Sequence, residues 1–503
     1  MNFRHAPSTI SAKVGAALLL TPAADFLLFR QPLDISLFIF AALAAGAMIA
    51  FHARGPRPRP LALKIVLAAL ALAPLAENVS PLSVTVATLC LAAFALSVSA
   101  RLRSGPVNCL KRIAGFILTI PGRLPFDIAR LRKLAGRRKI WRLGSLTAWT
   151  LAIALGMVFV ALFSIANPVI GYWMSLIDVR AIFNLLDVWR IAFWLVVAGS
   201  VWSFLRPRLP RWLPKWRLFT PRPIAEAQVN LEPPARLHQS LFGKAAILRA
   251  LVVFNLIFAL QTVLDGAYLW GGVALPAGLT YAAYAHRGAY VLIVTALLAA
   301  IFVLLTLKPG STTSADRRVR ALVYLWSAQN FVLVISSILR LDLYIDAYSL
   351  TYWRVAAFVW MGLVAIGIVL IMSRIALDKS NEWLFGANML TLSAVLYVSC
   401  FINFAAIIAH YNVSHSRAMD GGSELDWHYL RSLGPQAIPA IDVVLNHMGD
   451  TGAVARTSLV SRHYEADRFR EQLQNWRAWS FRNFRLAAYL DQPSPLLSGT
   501  EPQ

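Results

Sequence analysis

Read from end to end, the chain alternates on a long wavelength: almost wholly apolar stretches are separated by shorter polar, basic or proline-rich ones. A hydrocarbon core about 30 Å thick needs about 20 helical residues to cross it. Eleven stretches meet that length, at about 10–29, 33–52, 61–78, 82–100, 145–166, 187–205, 246–265, 289–307, 320–339, 354–373 and 386–409. The expected fold class is all-α: a polytopic transmembrane helical bundle of about eleven spans with a small helical C-terminal extramembrane domain. Segment 101–143 breaks the pattern, because CLKRIAGFILTIPGRLPFDIARLRKLAGRRKIWRLG mixes apolar and cationic positions at helical intervals. Its apolar piece is too short to cross, so it reads as an amphipathic helix on the inner leaflet, broken by Pro121 and Pro125, with a loop docked on protein as the alternative.

The pattern divides the chain into four parts: a six-span bundle at 1–206, which includes segment 101–143; a Pro-rich basic linker at 207–244; a five-span bundle at 245–411; and a helical tail at 412–503. No repeat relates the two bundles, which weakens an inverted-repeat transporter argument. In the tail, SELDWHYLRSLG predicts a helix capped by Ser423 and closed by Gly434, with Pro435 opening the next. RHYEADRFREQLQNWRAWSFRNFRLAAYL predicts one long helix ending in Trp, Phe and Arg, lying against lipid head groups or on the outer ends of the spans.

Composition agrees with the pattern. The 503 residues are 58% hydrophobic and 14% charged, against roughly a quarter charged for a soluble protein. The net charge of +24 is concentrated: residues 101–143 hold twelve Lys and Arg against Asp127, and residues 206–244 hold eight against Glu226 and Glu232. Eleven spans put these patches, and those at 54–59 and 308–320, on the side of the N-terminus. That is the positive-inside pattern of a membrane protein with a cytoplasmic N-terminus. The tail holds nine Arg, no Lys and ten acids, and odd parity places it outside. The expected partners are membrane lipids, through anionic head groups at the basic cytoplasmic loops, and an envelope protein through residues 412–503. Nucleic acid is not expected, since no aromatic-and-basic recognition module accompanies the patches. Arg4 and Lys13 before VGAALLL loosely resemble a signal peptide, but the cleavage pattern is poor and a retained first span is expected. Cys90, Cys109 and Cys400 have no paired spacing, so neither a disulfide framework, a metal nor a cofactor is expected.

Polar groups inside apolar stretches single out candidate residues, because they normally face the protein interior or a wet cavity. At 100° per residue, Trp326, Asn330, Ser337 and Arg340 share one face of the ninth span, as do Asn388, Ser399, Asn403 and His410 of the eleventh. Asn255, Gln261, Thr262 and Asp265 share a wider face of the seventh. Interhelical hydrogen bonding that holds the bundle together accounts for the amides and hydroxyls; Asp265, Arg340 and His410 lie toward the outer ends. Just before the eighth span Tyr281, Tyr284 and Arg287 repeat every three residues, and the neighbouring loop adds Asp342, Asp346 and Arg354. Asp265, Tyr281, Tyr284, Arg287, Arg340, Asp342, Asp346, Arg354, Asn403 and His410 thus compose a candidate pocket opening outward. Within it Arg287 and Arg354 suit bidentate capture of an anion. Structural ion pairs and an aromatic belt are the alternative.

Four blocks, GLTYAAYAHRGAYVLIVTALLAAIFVL, AQNFVLVISSILRLDLYIDAYSLTYWRVAAFVWM, NFAAIIAHYNVSHSR and LDWHYLRSLGPQAIPAI, make the chain resemble a family of bacterial multi-pass membrane proteins. That family is a domain of unknown function, of the four-one-seven-three or four-one-five-three type. The resemblance covers roughly 240–503 well and the N-terminal half loosely; Ala283 stands where the family block carries a glutamate. It implies the architecture and no activity. No HExxH, GxSxG or Walker loop occurs, so the first expectation is a non-enzymatic envelope sensor or scaffold. A transporter or flippase using spans seven to eleven comes second. A membrane-embedded transferase on lipid-linked substrates, with Asp342, Asp346 or His410 as acid or base, comes third.

Overall fold

The computed structural model describes residues 7–52, 60–99, 101–102, 105–135, 155–160, 162, 187–209, 244–270, 316–419, 421–448 and 453–492. Among them all regular structure is helical, apart from an isolated bridge between Ser416 and Ser423. Seven of these helices are long and apolar enough to cross a membrane, or eight if one bent pair forms a single span. The expected spans at 289–307 and, largely, 145–166 lie outside the described residues. The chain divides into two units, one of Met1–Ala76, Ala87–Arg103 and Cys109–Lys215, the other of Glu77–Val86, Ser104–Asn108 and Trp216–Gln503.

The first unit contains α1 (Pro7–Leu28), α2 (Asp34–His52), nearly all of α3 (Leu61–Glu77), most of α4 (Pro81–Val98) and α5 (Pro106–Ala135), and α6 (Val188–Leu205). α1 packs on α2 and α6, and α2 also meets α6. At one end Asp25 accepts from Arg190 Nε and Trp194 Nε1, each at 2.9 Å, and Arg30 pairs with Asp187 at 3.3 Å. Ala92, Leu96 and Phe116 form a small core, with Phe116 and Phe204 edge to face at 5.4 Å. α5 corrects one expectation: it runs unbroken through 30 residues with Pro121 and Pro125 inside it. The two prolines are four residues apart, so they share a face, and both are exposed. The carbonyls their missing N–H groups leave free therefore open outward rather than into packed protein.

The second unit is built on α7 (Lys244–Asp265, continued by a π-helical turn at Gly266–Trp270), α8 (Arg317–Tyr348), α9 (Tyr352–Ala376) and α10 (Asn381–Ser399). Each packs against its successor, α7 on α8 most extensively. Asp316 caps α8 by accepting from Arg318 N at 2.8 Å. α11 (Phe404–Ser414) corrects a second expectation. The stretch 386–409 is not one straight span: α10 and α11 are bent by 72° at a short break. Asn403 is the cause on the α11 side, since its side chain accepts from Ala406 N at 3.2 Å and starts a new helix. The polar stripe expected across Asn388, Ser399, Asn403 and His410 is therefore divided between two helices.

Beyond α11 come α12 (Trp427–Ser432), α13 (Ile438–Met448), α14 (Ala453–Gln474) and α15 (Phe481–Leu490). α12 is capped by Asp426, which accepts from Tyr429 N at 2.9 Å, and not by Ser423, whose backbone pairs with the Ser416 region. Gly434 closes the turn with φ 77, which favours glycine. The expected single helix over 462–490 is two, because Asn475 and Ser480 each cap a new turn, accepting from Arg477 N and Asn483 N. A buried bidentate pair, Arg462 to Asp442 at 2.8 and 2.9 Å, holds α14 on α13, and Tyr489 donates to Asp442 at 3.1 Å.

Candidate functional site

The polar residues of α8 lie along its packed side. Trp326, Ser327, Asn330, Ser336, Ser337 and Arg340 are all buried. Asn255 of α7 reaches across to donate to Leu322 O at 3.1 Å. Lower down, Arg340 pairs with Asp265, which also accepts from Gln261 Nε2 at 2.9 Å. Trp326 Nε1, Ser327 Oγ, Asn330 Oδ1 and Ser336 Oγ find no hydrogen-bond partner among the described residues. Each such group costs about 1–3 kcal/mol if left dry, so further polar groups or water against this side of α8 would be stabilising.

α8 is 32 residues long, about 48 Å at 1.5 Å per residue, so one end projects beyond a hydrocarbon core of about 30 Å. The turns at its C-terminal end carry Asp342 and Asp346, both exposed. There Ser349 adopts φ 66, and Arg354 donates to Tyr348 O at 2.6 Å and to Ser349 O. The Arg354 guanidinium also lies 4.6 Å from the Tyr344 ring centroid, so it serves as the clasp of the α8–α9 turn. Asn412, buried on α11, receives Leu350 N at 2.6 Å and donates to Leu350 O at 3.0 Å. It satisfies that backbone as a neighbouring strand would.

Ile345, Asp346, Ser349, Tyr411, Asn412, His415, Gly422 and Ser423 line an open cavity of about 150 Å³ between α8, α11 and the loop that follows α11. Tyr411 OH approaches Asp346 at 3.4 Å, and its ring stacks on His415 at 4.0 Å. His415 Nδ1 lies 2.9 Å from the Tyr411 carbonyl, which only accepts. Ser414 Oγ lies 3.0 Å from the same nitrogen. A carboxylate, a phenol and an imidazole can hold a small polar ligand with donor groups.

The break between α10 and α11 lies beside the tail. Arg482, at the start of α15, donates to the carbonyls of Cys400 at 3.3 Å and Ile402 at 3.1 Å, which the break has freed. Burial pushes its guanidinium down from the usual range, and Glu77 pulls it back. Glu77, buried at the α3–α4 turn, lies 3.5 Å from Arg482 Nε and also pairs with Arg485. Asn403 adds a bond of 2.8 Å to Gln436. One guanidinium thus joins the helix break, the tail and the α3–α4 turn.

Of the expected pocket residues, the structure joins Asp265 to Arg340, sets Asp346 on the cavity, and places Asp342 and Arg354 nearby. It uses Asn403 as a helix cap and leaves His410 exposed on α11. Tyr281, Tyr284 and Arg287 lie outside the described residues. Sequence reasoning missed Asn412, His415, Glu77 and Arg482. The available signals were an Asn within an otherwise apolar helix and the S-F-R-N capping pattern at 480–483.

Fold and site together define a helical protein with several membrane-length apolar helices and a tail docked on a broken one. Residues 14–444 match the family described as Domain of unknown function (DUF4153). The chain belongs to that family, which distinguishes between the two types it resembles. The match ends within α13, so Arg482 and Arg485 lie beyond it. Neither the curated proteins nor the solved structures hold a match.

Proposed function

We propose that this is an integral inner-membrane protein of the bacterial envelope, non-enzymatic, acting as a sensor or scaffold through its tail. It crosses eleven times, with the N-terminus in the cytoplasm and residues 412–503 outside. The carrying observation is Arg482: it caps the carbonyls of a broken membrane-length helix pair and belongs to the tail. A helix break held open by a tail side chain is an element with two arrangements, docked and released. The cavity at Asp346, Tyr411 and His415 lies on the same connection, where a small ligand or an envelope partner biases one arrangement by binding it better. In full-length protein in detergent, Arg482→Gln with Arg485→Gln should expose the tail to protease several-fold faster without unfolding α7–α9. Cells carrying it should match cells expressing residues 1–414. An unchanged cleavage rate overturns the reading.

A second reading, a transporter or flippase, is favoured by the buried polar side of α8 with groups unpartnered among the described residues. Solvent accessibility of single cysteines at 327, 330 and 336 distinguishes it, since a dry, packed row leaves all three unlabelled.

A further inference from the structure

The first unit carries an imbalance that the proposed function does not use. Four segments distant in sequence bring cations to the end of α6. Lys13 donates to Leu205 O at 2.9 Å, and Arg123 donates to Arg208 O at 2.7 Å. Arg206 and Arg208 each reach Asp127 at 3.2 Å, and Trp202 Nε1 donates to the same carboxylate at 3.1 Å. Arg101, following α4, is within reach of the charges of Arg206 and Arg208.

The C-terminal carbonyls of a helix draw cations with about half a negative charge, which explains why Lys13 points there, while Arg123 meets the backbone three residues further on. It does not explain the number. Among the described residues, these five cations stand against Asp127 and that half charge. The other acids described on the helices of this unit, Asp25, Asp34 and Asp187, belong to the ends of α1, α2 and α6 remote from this one. Arg123 is 9% exposed and Asp127 4%. Burial first, and then the Arg208, Arg101 and Arg206 charges, push the Arg123 guanidinium down to about 10 against the pull of Asp127. Arg208 and Arg101 are pushed down too, by burial first and by Arg206 next. The fold has gathered positive charge beyond what the described acids neutralise.

α5 points to what does. Its buried face holds Arg123 and Asp127, while Leu118 and Phe126 on the outer side are 72% and 69% exposed, with Leu110 and Ile128 at 43% each. Charge inward and large apolar side chains outward is the arrangement of a helix lying among lipid acyl chains. We propose that Lys13, Arg101, Arg123, Arg206 and Arg208 form a binding site for a phosphate-ester group bearing two or more negative charges, such as the headgroup of an anionic phospholipid. Asp127 orients Arg206 and Arg208, so their remaining N–H donors form a fork suited to phosphate oxygens. Headgroups and soluble phosphate esters share this chemistry; the exposed apolar residues of α5 favour the lipid.

The test uses full-length protein in detergent, probed by native mass spectrometry and thermal stability. The probes are cardiolipin, phosphatidylcholine and inorganic pyrophosphate. Cardiolipin should be retained in preference to phosphatidylcholine, and Arg101→Gln and Arg123→Gln should each weaken that retention at least fivefold. Arg30→Gln, which removes one charge at the opposite end of α1, should leave it unchanged. If Arg123→Gln fails to fold, Arg101→Gln decides alone. Stabilisation by pyrophosphate with the same variant dependence, and no cardiolipin preference, assigns the site to a soluble phosphate ester. Equal binding by wild type, Arg101→Gln and Arg30→Gln, or no binding of either phosphate probe, overturns the proposal.

Discussion

At the residue scale, Asp265 and Arg340 are 0% and 2% exposed and face each other across α7 and α8. A buried pair is not by itself strongly stabilising, because desolvation offsets the attraction, but breaking it strands one charge. Arg340→Met should therefore cost about 3–5 kcal/mol, read as a lowered thermal midpoint in detergent. Asp265→Leu with Arg340→Met should recover most of it. Failure of the double variant to recover would give the pair a role beyond packing. In the tail, burial first and then the Asp442 charge push the Tyr489 hydroxyl up to about 12. The folded state then holds a proton that the unfolded state releases near 10. Stability from this group is fully present below pH 10 and is lost as pH climbs from 10 toward 12. Tyr489→Phe should flatten that loss in near-ultraviolet circular dichroism recorded against pH. Asp265 and Arg340 were legible in the sequence because a charge inside an apolar stretch is costly wherever it points. Asn412 and His415 were not, since their importance comes from Leu350 and Asp346, some 60–70 positions away.

At the element scale, helix existence was legible and helix ends were not. Apolar length alone identifies α1, α2, α4, α6, α7, α8 and α9. The break after α10 depends on an Asn cap and on a guanidinium from residue 482, and hydropathy registers neither. The same holds for the split of α14 from α15 and for α5, where prolines that interrupt a pattern on paper sit harmlessly on an exposed face. Contact between elements also explains one glycine. A Cβ at Gly386 of α10 would lie 2.7 Å from Pro106 Cγ at the start of α5, and a pyrrolidine ring cannot swing aside. Gly386→Ala should cost about 1–3 kcal/mol through overpacking. Adding Pro106→Ala should return part of that in a double-mutant cycle of thermal midpoints. Additive losses would mean that the helices separate without strain.

At the scale of the whole molecule, the contacts bear on how many times the chain crosses. Arg482 and Arg485 of the tail meet Glu77 of the α3–α4 turn, which in the proposed membrane arrangement sets the two on one face. Gly105 and Pro106 meet Glu382 and Gly386, so the start of α5 shares a face with the start of α10. Lys13 meets the end of α6, so the beginning of α1 shares a face with residue 205. Each meeting requires an even number of crossings between the residues involved. The eleven-crossing reading supplies eight, six and six in turn. In the proposed orientation, the Arg-rich neighbourhood of Arg101, Arg123 and Arg206 is the cytoplasmic one, as the positive-inside rule expects. Glu424 and Lys379 are both exposed, and the proposed topology puts them on opposite faces. With Cys90, Cys109 and Cys400 replaced by Ser, Glu424→Cys should react with an impermeant maleimide in spheroplasts that retain an intact inner membrane. Lys379→Cys should react only after that membrane is permeabilised. Labelling of both before permeabilisation would refute the odd crossing count, and a reversed pattern would keep the count while inverting the protein.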